Sequence, residues 1–92
     1  MIVSFADVAT KRLYEGWDVL QFAGFGVSAY RKLLMLNAAT ELKDLRSPPG
    51  NRLEKLKGKR SAQHSIRINS QWRICFRWTS QGAEDVEIVD YH

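Results

Sequence analysis

The sequence predicts an α+β fold in which N-terminal helices pack on a small, mainly antiparallel twisted sheet. Three observations lead there. Apolar residues recur every three or four positions through the first half, up to the stop at Ser47-Pro48-Pro49-Gly50. From Gln63 onward the pattern alternates with period two. Two polar turns, Asn69-Ser70-Gln71 and Thr79-Ser80-Gln81-Gly82, then divide that part into hairpins. Helices first and a meander second is an α+β order. With 92 residues, 45% of them hydrophobic, one domain over residues 1–92 with one core and one open face is expected.

Element by element, Ile2 to Phe5 reads as a short opening strand. Asp7 is placed to cap a helix running to about Glu15, which Gly16 ends. Trp17 to Gly26 holds three aromatics and two glycines without a clean period, which predicts a packed loop. Ser28 then caps a longer helix, whose stripe Val27, Tyr30, Leu34, Ala38, Leu42 and Leu45 should face the sheet. The helix is expected to bend or split between Asn37 and Thr40, and the paired prolines end it. Strands follow at Arg52 to Leu56, Gln63 to Ile68, Gln71 to Trp78 and Val86 to Tyr91. Alternation sends Ile66, Ile68, Trp72, Ile74, Phe76, Trp78, Val86 and Ile88 toward the helices. Arg67, Arg73, Cys75, Arg77, Glu87, Val89 and Tyr91 fall on the other face.

Charge is unevenly distributed. Ten of the fourteen basic residues lie between Lys43 and Arg77, opposed there only by Asp44 and Glu54, whereas the last nine residues carry Glu84, Asp85, Glu87 and Asp90. A basic half of this kind suits a polyanion, RNA or DNA, or else a merely solvated face. The N-terminus lacks a signal peptide's basic start and apolar run, and no stretch is long enough to span a membrane, so a cytoplasmic protein with no membrane partner is expected. Cys75 is the only cysteine, which rules out an internal disulfide or a cysteine-based zinc site. No phosphate-binding glycine loop and no metal-ligand spacing is present, so no cofactor and no metal are expected.

Metal-independent RNA cleavage needs a base for the ribose 2′-OH, an acid for the leaving 5′-oxygen, and cations around the phosphorus. Lys57, Arg67, Arg73, Arg77, Asp90, Tyr91 and His92 are the candidates. Lys55, Lys59 and Arg60 join Arg67 and Arg77 as candidate RNA-phosphate contacts. His92 titrates nearest neutrality, and arginines sharing Tyr91's face would lower its pKa. His64, on the core parity, reads as a packing histidine.

Leu56-Lys57-Gly58, Ser65-Ile66-Arg67, Gln71-Trp72-Arg73-Ile74-Cys75-Phe76 and Asp90-Tyr91-His92, in this order, resemble the HigB-type branch of the RelE superfamily. Ile2-Val3-Ser4-Phe5 and Ala38-Ala39-Thr40-Glu41-Leu42 fit as well, so the resemblance covers nearly the whole chain. It implies a RelE-like microbial RNase fold and the toxin of a type II toxin–antitoxin pair, cutting mRNA without metal in the A site of the 70S ribosome. The implied antitoxin is a helix-turn-helix, HigA-like protein that ties the toxin indirectly to operator DNA. Lys57 and Arg73 would stabilise the phosphate with help from Arg67, and Asp90, Tyr91 and His92 would move protons. One departure stands out: some relatives carry a histidine where this chain has Glu54, which predicts a weaker or differently selective nuclease. The alternatives are a ParE-like gyrase poison, a non-catalytic RNA-binding module and a purely structural subunit. The terminal triplet disfavours the first, and the core parity of Trp72, Phe76 and Trp78 leaves few rings to stack on bases in the second.

Overall fold

The computed structural model describes residues 1–91. Helices α1 (Val8–Tyr14) and α2 (Gly26–Ala38) precede a four-stranded antiparallel sheet of β1 (Glu54–Lys55), β2 (His64–Arg67), β3 (Trp72–Thr79) and β4 (Gly82–Asp90), in spatial order β1-β2-β3-β4. The predicted α+β architecture is the observed one. Ala29, Leu33 and Leu36 of α2 join Ile66, Ile74, Phe76, Val86 and Ile88 of the sheet in one buried cluster, the inward set that period-two alternation selects.

The helices differ in detail from their sequence reading. Asp7 caps α1 as expected, its Oδ2 accepting from the Thr10 N–H, and Gly16 follows at φ 99°. Helix α2 begins two residues before Ser28, with Phe25 at its N-cap and no side-chain cap bond. Its buried stripe is Ala29, Leu33 and Leu36, while Val27 and Leu34 of the predicted stripe are exposed. Apolar residues occupy most of the helix circumference, so two stripes compete, and packing on the sheet selects one. The split after Ala38 occurs: a 3₁₀ segment at Leu42–Arg46 starts from a capping box in which Glu41 and Asp44 bond each other's backbone, and it buries Leu45. Those bonds to the Glu41 and Thr40 amides hold the Asp44 carboxyl below the usual range.

The loop before α2 is pinned by rings. Phe25 stacks on Trp72 at 4.8 Å, and Phe22 meets both rings edge-on. Trp17 and Leu20 of the same loop lie on the surface, so only part of it is packed as predicted. Asn51, fully buried, donates to the carbonyls of Leu45 and Ser47 and accepts from Lys32 Nζ, tying α2 to the segment that leads into β1.

Two strands have bounds other than predicted. Strand β1 keeps only Glu54 and Lys55, because Arg52 turns into the left-handed region at φ 44°. Strand β4 starts at Gly82, four residues early, and contains a bulge: Cys75 faces Glu87 but Arg77 faces Glu84, with Asp85 at φ 53° as the extra residue. The bulge resets the alternation, so Ala83 is buried with the core and Glu84 emerges on the face of Arg77. Simple parity had no means of showing this.

The outer edge of β4 is closed by the chain's first residues. Ile2 and Phe5 form isolated parallel bridges to Ala83 and Val86, a reduced version of the predicted opening strand. Val3 and Ala6 donate to the carbonyls of Ala83 and Val86, and Ala83 and Val86 donate back to Met1 and Ser4. Ser4 Oγ accepts from Asp85 N, and the buried Thr10 Oγ1 accepts from Ile88 N at 3.1 Å. An edge occupied in this way cannot pair with another chain. At Gly82 the fit leaves no room for a side chain, since a Cβ there would lie 2.1 Å from the Met1 carbonyl oxygen.

Thr10→Val keeps the volume but strands the buried Ile88 N–H. Urea unfolding should show a loss of about 1–3 kcal/mol, largely restored by Thr10→Ser. His64 is half-buried with its ring 6.4 Å from Phe76, and burial, with the nearby Lys55 charge, pushes its pKa below the ordinary 6.5. The unfolded chain therefore binds the proton first, so stability is full above about pH 6.5 and falls as pH drops through the lower folded value. Chemical denaturation between pH 7 and pH 5 should show that slope, flattened in His64→Phe.

Candidate active site

The face of the sheet turned away from the helices collects most of the predicted site. Arg67 of β2 lies directly opposite Arg73 of β3, and Arg73 lies opposite Val89 of β4. Directly opposed side chains share a face, and like charges so placed destabilise the sheet unless an anion joins them. Arg73 is partly relieved: Nε donates to Ser65 Oγ at 2.7 Å, Nη2 to the Arg52 carbonyl at 2.6 Å, and Glu54 Oε1 lies 3.7 Å from Nε. The left-handed turn at Arg52 is what aims that carbonyl inward. Arg67 has no hydrogen bond or ion pair of its side chain among the described residues. Together the two arginines form a cationic centre with a held member and an open one.

The alternation placed Arg73 on the correct face but overstated its exposure, for its side chain is only 11% accessible. Ser65 and Cys75 on the same face are fully buried beneath it and its neighbours. Burial pushes the Cys75 thiol up, against a smaller downward pull from Arg60 and Arg73, so it is a packing residue and not a thiolate nucleophile. Ser65, missed by the sequence reading, is legible only as a small polar residue at an outward position beside two arginines.

The other basic candidates separate into paired and open ones. Arg60 folds over the face to reach Gln63 Oε1 and Glu87 Oε1, at 2.9 and 3.2 Å. Arg77 meets Glu84 at 2.6 Å and Asp85 at 3.6 Å, acids that the bulge delivers to it. Lys57 and Lys59 are exposed at the 3₁₀ turn Gly58–Arg60, which Gly58 enters at φ 65°. Lys55 is not on this face at all: it lies opposite His64, toward the helices. The end of the face at Arg77 is therefore neutralised by acids, whereas the end at Arg67 keeps its positive charge; Lys57 and Lys59, beside Arg60, have no ion pair among the described residues.

Tyr91 extends the ladder beyond β4, its N–H donating to the Gln71 carbonyl at 2.7 Å, and it is 42% exposed. Two positions past Val89, it continues the outward parity that brings it diagonal to Arg73, a neighbour at roughly 7–8 Å in regular sheet. Asp90 lies opposite Trp72, and its Oδ2 accepts from Gln71 Nε2. His92 lies outside the described residues. Among the described residues no three His, Cys, Asp or Glu side chains are grouped to hold a metal ion, and no helix is long and apolar enough to cross a membrane.

A family model described as the RelE-like toxin of the type II toxin–antitoxin system HigB matches residues 3–92. The chain belongs to the HigB-like toxin family. Within that family it is similar to "Toxin HigB-1" of Vibrio cholerae serotype O1, 51% identical over 49 residues that make up 53% of this chain and 52% of that protein. It is also similar to an uncharacterized protein of Haemophilus influenzae, 46% identical over 48 residues, 52% of this chain and 48% of the other. The chain thus spans about half the length of the curated relatives it matches. Membership of the HigB-like family agrees with the α+β architecture described above.

Arg73→Ala removes bonds to Ser65 and Arg52 from a mostly buried position. It should therefore lower stability by about 1–3 kcal/mol in urea titrations, not leave it untouched as a wholly exposed arginine would. Cys75 should react with a thiol reagent only at the rate of opening, so that urea below the unfolding transition leaves it protected.

Proposed function

We propose that this chain is the toxin of a type II toxin–antitoxin pair and a metal-independent endonuclease that cuts mRNA in the ribosomal A site. The observation that carries this reading is the pair Arg67 and Arg73, directly opposite each other on the outward face, where Glu54 reaches Arg73 and Arg67 has no ion pair among the described residues. A phosphodiester bridging the two guanidiniums would offset their repulsion. Arg73, held by Ser65, Arg52 and Glu54, fixes the position of the phosphate, and Arg67 and Lys57 add charge as the phosphorus becomes more negative.

In the proposed reaction a base takes the proton of the ribose 2′-OH and the 2′-oxygen bonds to the adjacent phosphorus. The bond from phosphorus to the 5′-oxygen breaks, and an acid protonates that oxygen. A 2′,3′-cyclic phosphate and a 5′-hydroxyl result. Tyr91 and His92 divide the acid and base roles, with Asp90 beside them; the exposure of Tyr91 and its diagonal placement to Arg73 support its part. Protein donors that approach the scissile phosphate from one open face leave the attacking geometry to the RNA, which supports a substrate already ordered by the ribosome. The proposed partners are therefore the 70S ribosome with its mRNA in the cytoplasm, and a helix-turn-helix, HigA-like antitoxin through which the toxin is linked to operator DNA.

Glu54 tempers this site. Its carboxylate near Arg73 competes with the substrate phosphate for the same guanidinium.

Primer extension on mRNA, with and without translating ribosomes and without added metal, tests the reading. Discrete cuts should require ribosomes and fall about 10²–10⁴-fold in Tyr91→Phe. Uncut mRNA with damaged DNA would instead indicate a gyrase poison. Glu54→Gln and Glu54→His should each raise cleavage, by roughly fivefold if the surface pair is worth about 1 kcal/mol; rates equal to the wild type would remove Glu54 from the site.

A further inference from the structure

Basic residues that the outward face does not use gather on the other side of β1. Glu54 and Lys55 are neighbours in an extended strand, so their side chains leave it in opposite directions. Glu54 turns toward Arg73, and Lys55 emerges beside His64 on the side of the helices. There Lys55 shares with Lys43 and Arg46, both from the 3₁₀ segment Leu42–Arg46, a hollow of about 440 Å³. Leu42 and Leu53 supply its apolar wall.

Three cations line one concavity, and little opposes them. Glu54 borders the hollow, but its Oε1 lies 3.7 Å from the guanidinium of Arg73 on the outward face. Lys43 has Glu41 at 3.6 Å, a pair whose two side chains are both more than 60% exposed and which solvent screens. Lys55 and Arg46 have no acidic partner among the described residues. A cleft lined by one sign of charge concentrates its field and draws the opposite ion. Strand β1 is also two residues long and outermost in the sheet, so the way from this hollow to the outward face runs over a short exposed edge.

We propose that the hollow formed by Lys43, Arg46 and Lys55 binds a second phosphate of the RNA backbone. The strand then bends around the β1 edge, one phosphate at Arg67 and Arg73 and another on the opposite face. The inference rests on the RNA-binding part of the proposed function but not on cleavage. It assigns Lys55 to a site of its own, separate from the reacting centre, and brings in Lys43 and Arg46.

The test is the salt dependence of binding. A fluorescent single-stranded oligoribonucleotide of about a dozen nucleotides, 2′-O-methylated so that it cannot be cut, is titrated with the protein across a range of salt concentrations. Each phosphate neutralised on a single strand adds about 0.7 to the slope of log affinity against log salt. The triple variant Lys43→Gln, Arg46→Gln, Lys55→Gln should bind at least tenfold more weakly at low salt, with a slope reduced by about 0.7 for the one phosphate lost. Arg46→Gln and Lys55→Gln alone should each give part of the loss, and Arg67→Gln a further loss that adds to the triple variant's. Wild-type affinity and slope in a folded triple variant would overturn the proposal. If the wild type fails to cut mRNA on ribosomes while the triple variant loses RNA binding, the nuclease reading falls and this site stands. If the wild type cuts and the triple variant binds and cuts equally well, the reverse holds.

Discussion

Two residues of β4, Asp85 and Val86, occupy the space opposite Phe76 alone, and the organisation of the sheet depends on that one extra residue. Without it, strict alternation would drive Glu84 into the layer of Phe76 and Ile74 and turn Ala83 outward. With it, Ala83 fills the core and Glu84 pairs with Arg77 at 2.6 Å. An aspartate tolerates the left-handed backbone the bulge requires better than a branched residue would. Asp85 is held there by its own amide, which donates to Ser4, and by its carboxylate near Arg77. The bulge thereby links the first strand-like segment, the last hairpin and the charge pattern of the outward face.

That charge pattern has a direction. Near the bulge, Arg77 and Arg60 are compensated by Glu84, Asp85 and Glu87. Toward the other end of the strands the acids run out, leaving Glu54 against the pair Arg73 and Arg67. A uniformly basic face would bind a polyanion in any orientation. A graded one favours a single end, and there Arg73 is pre-set by a hydroxyl and a carbonyl before any ligand arrives. Pre-set donors lose little freedom when they bind, which is how a small sheet can position a phosphate firmly.

Much of this was legible in the sequence, for definable reasons. The inward set Ile66, Ile74, Phe76, Val86 and Ile88 follows from period two, since a strand has only two faces to choose from. The turn at Asn69 was legible because its side chain accepts from the Gln71 and Trp72 amides, a local bond any asparagine there can make. The buried stripe of α2 was not legible, because Val27, Leu34 and Ala38 compete with Ala29, Leu33 and Leu36, and only the sheet decides between them. Within the site, the outward arginines were found by parity, but their partners were not. Ser65, the Arg52 carbonyl and Glu84 become partners through a left-handed turn and a bulge, features of the backbone that residue types alone do not announce. Lys55, named in the sequence reading without a face, falls on the side of the helices, because the register that sets it opposite His64 is visible only once β1 is paired with β2.

The close meeting of Gly82 with Met1 also bears on how the domain folds. Residues Met1 to Ala6 have as their backbone partners Ala83 to Val86, some eighty positions along the chain. Contacts that distant in sequence form late and slow folding. Until they form, the outer edge of β4 keeps its amides and carbonyls open, so a state lacking only these few bonds already presents an edge that another strand can join.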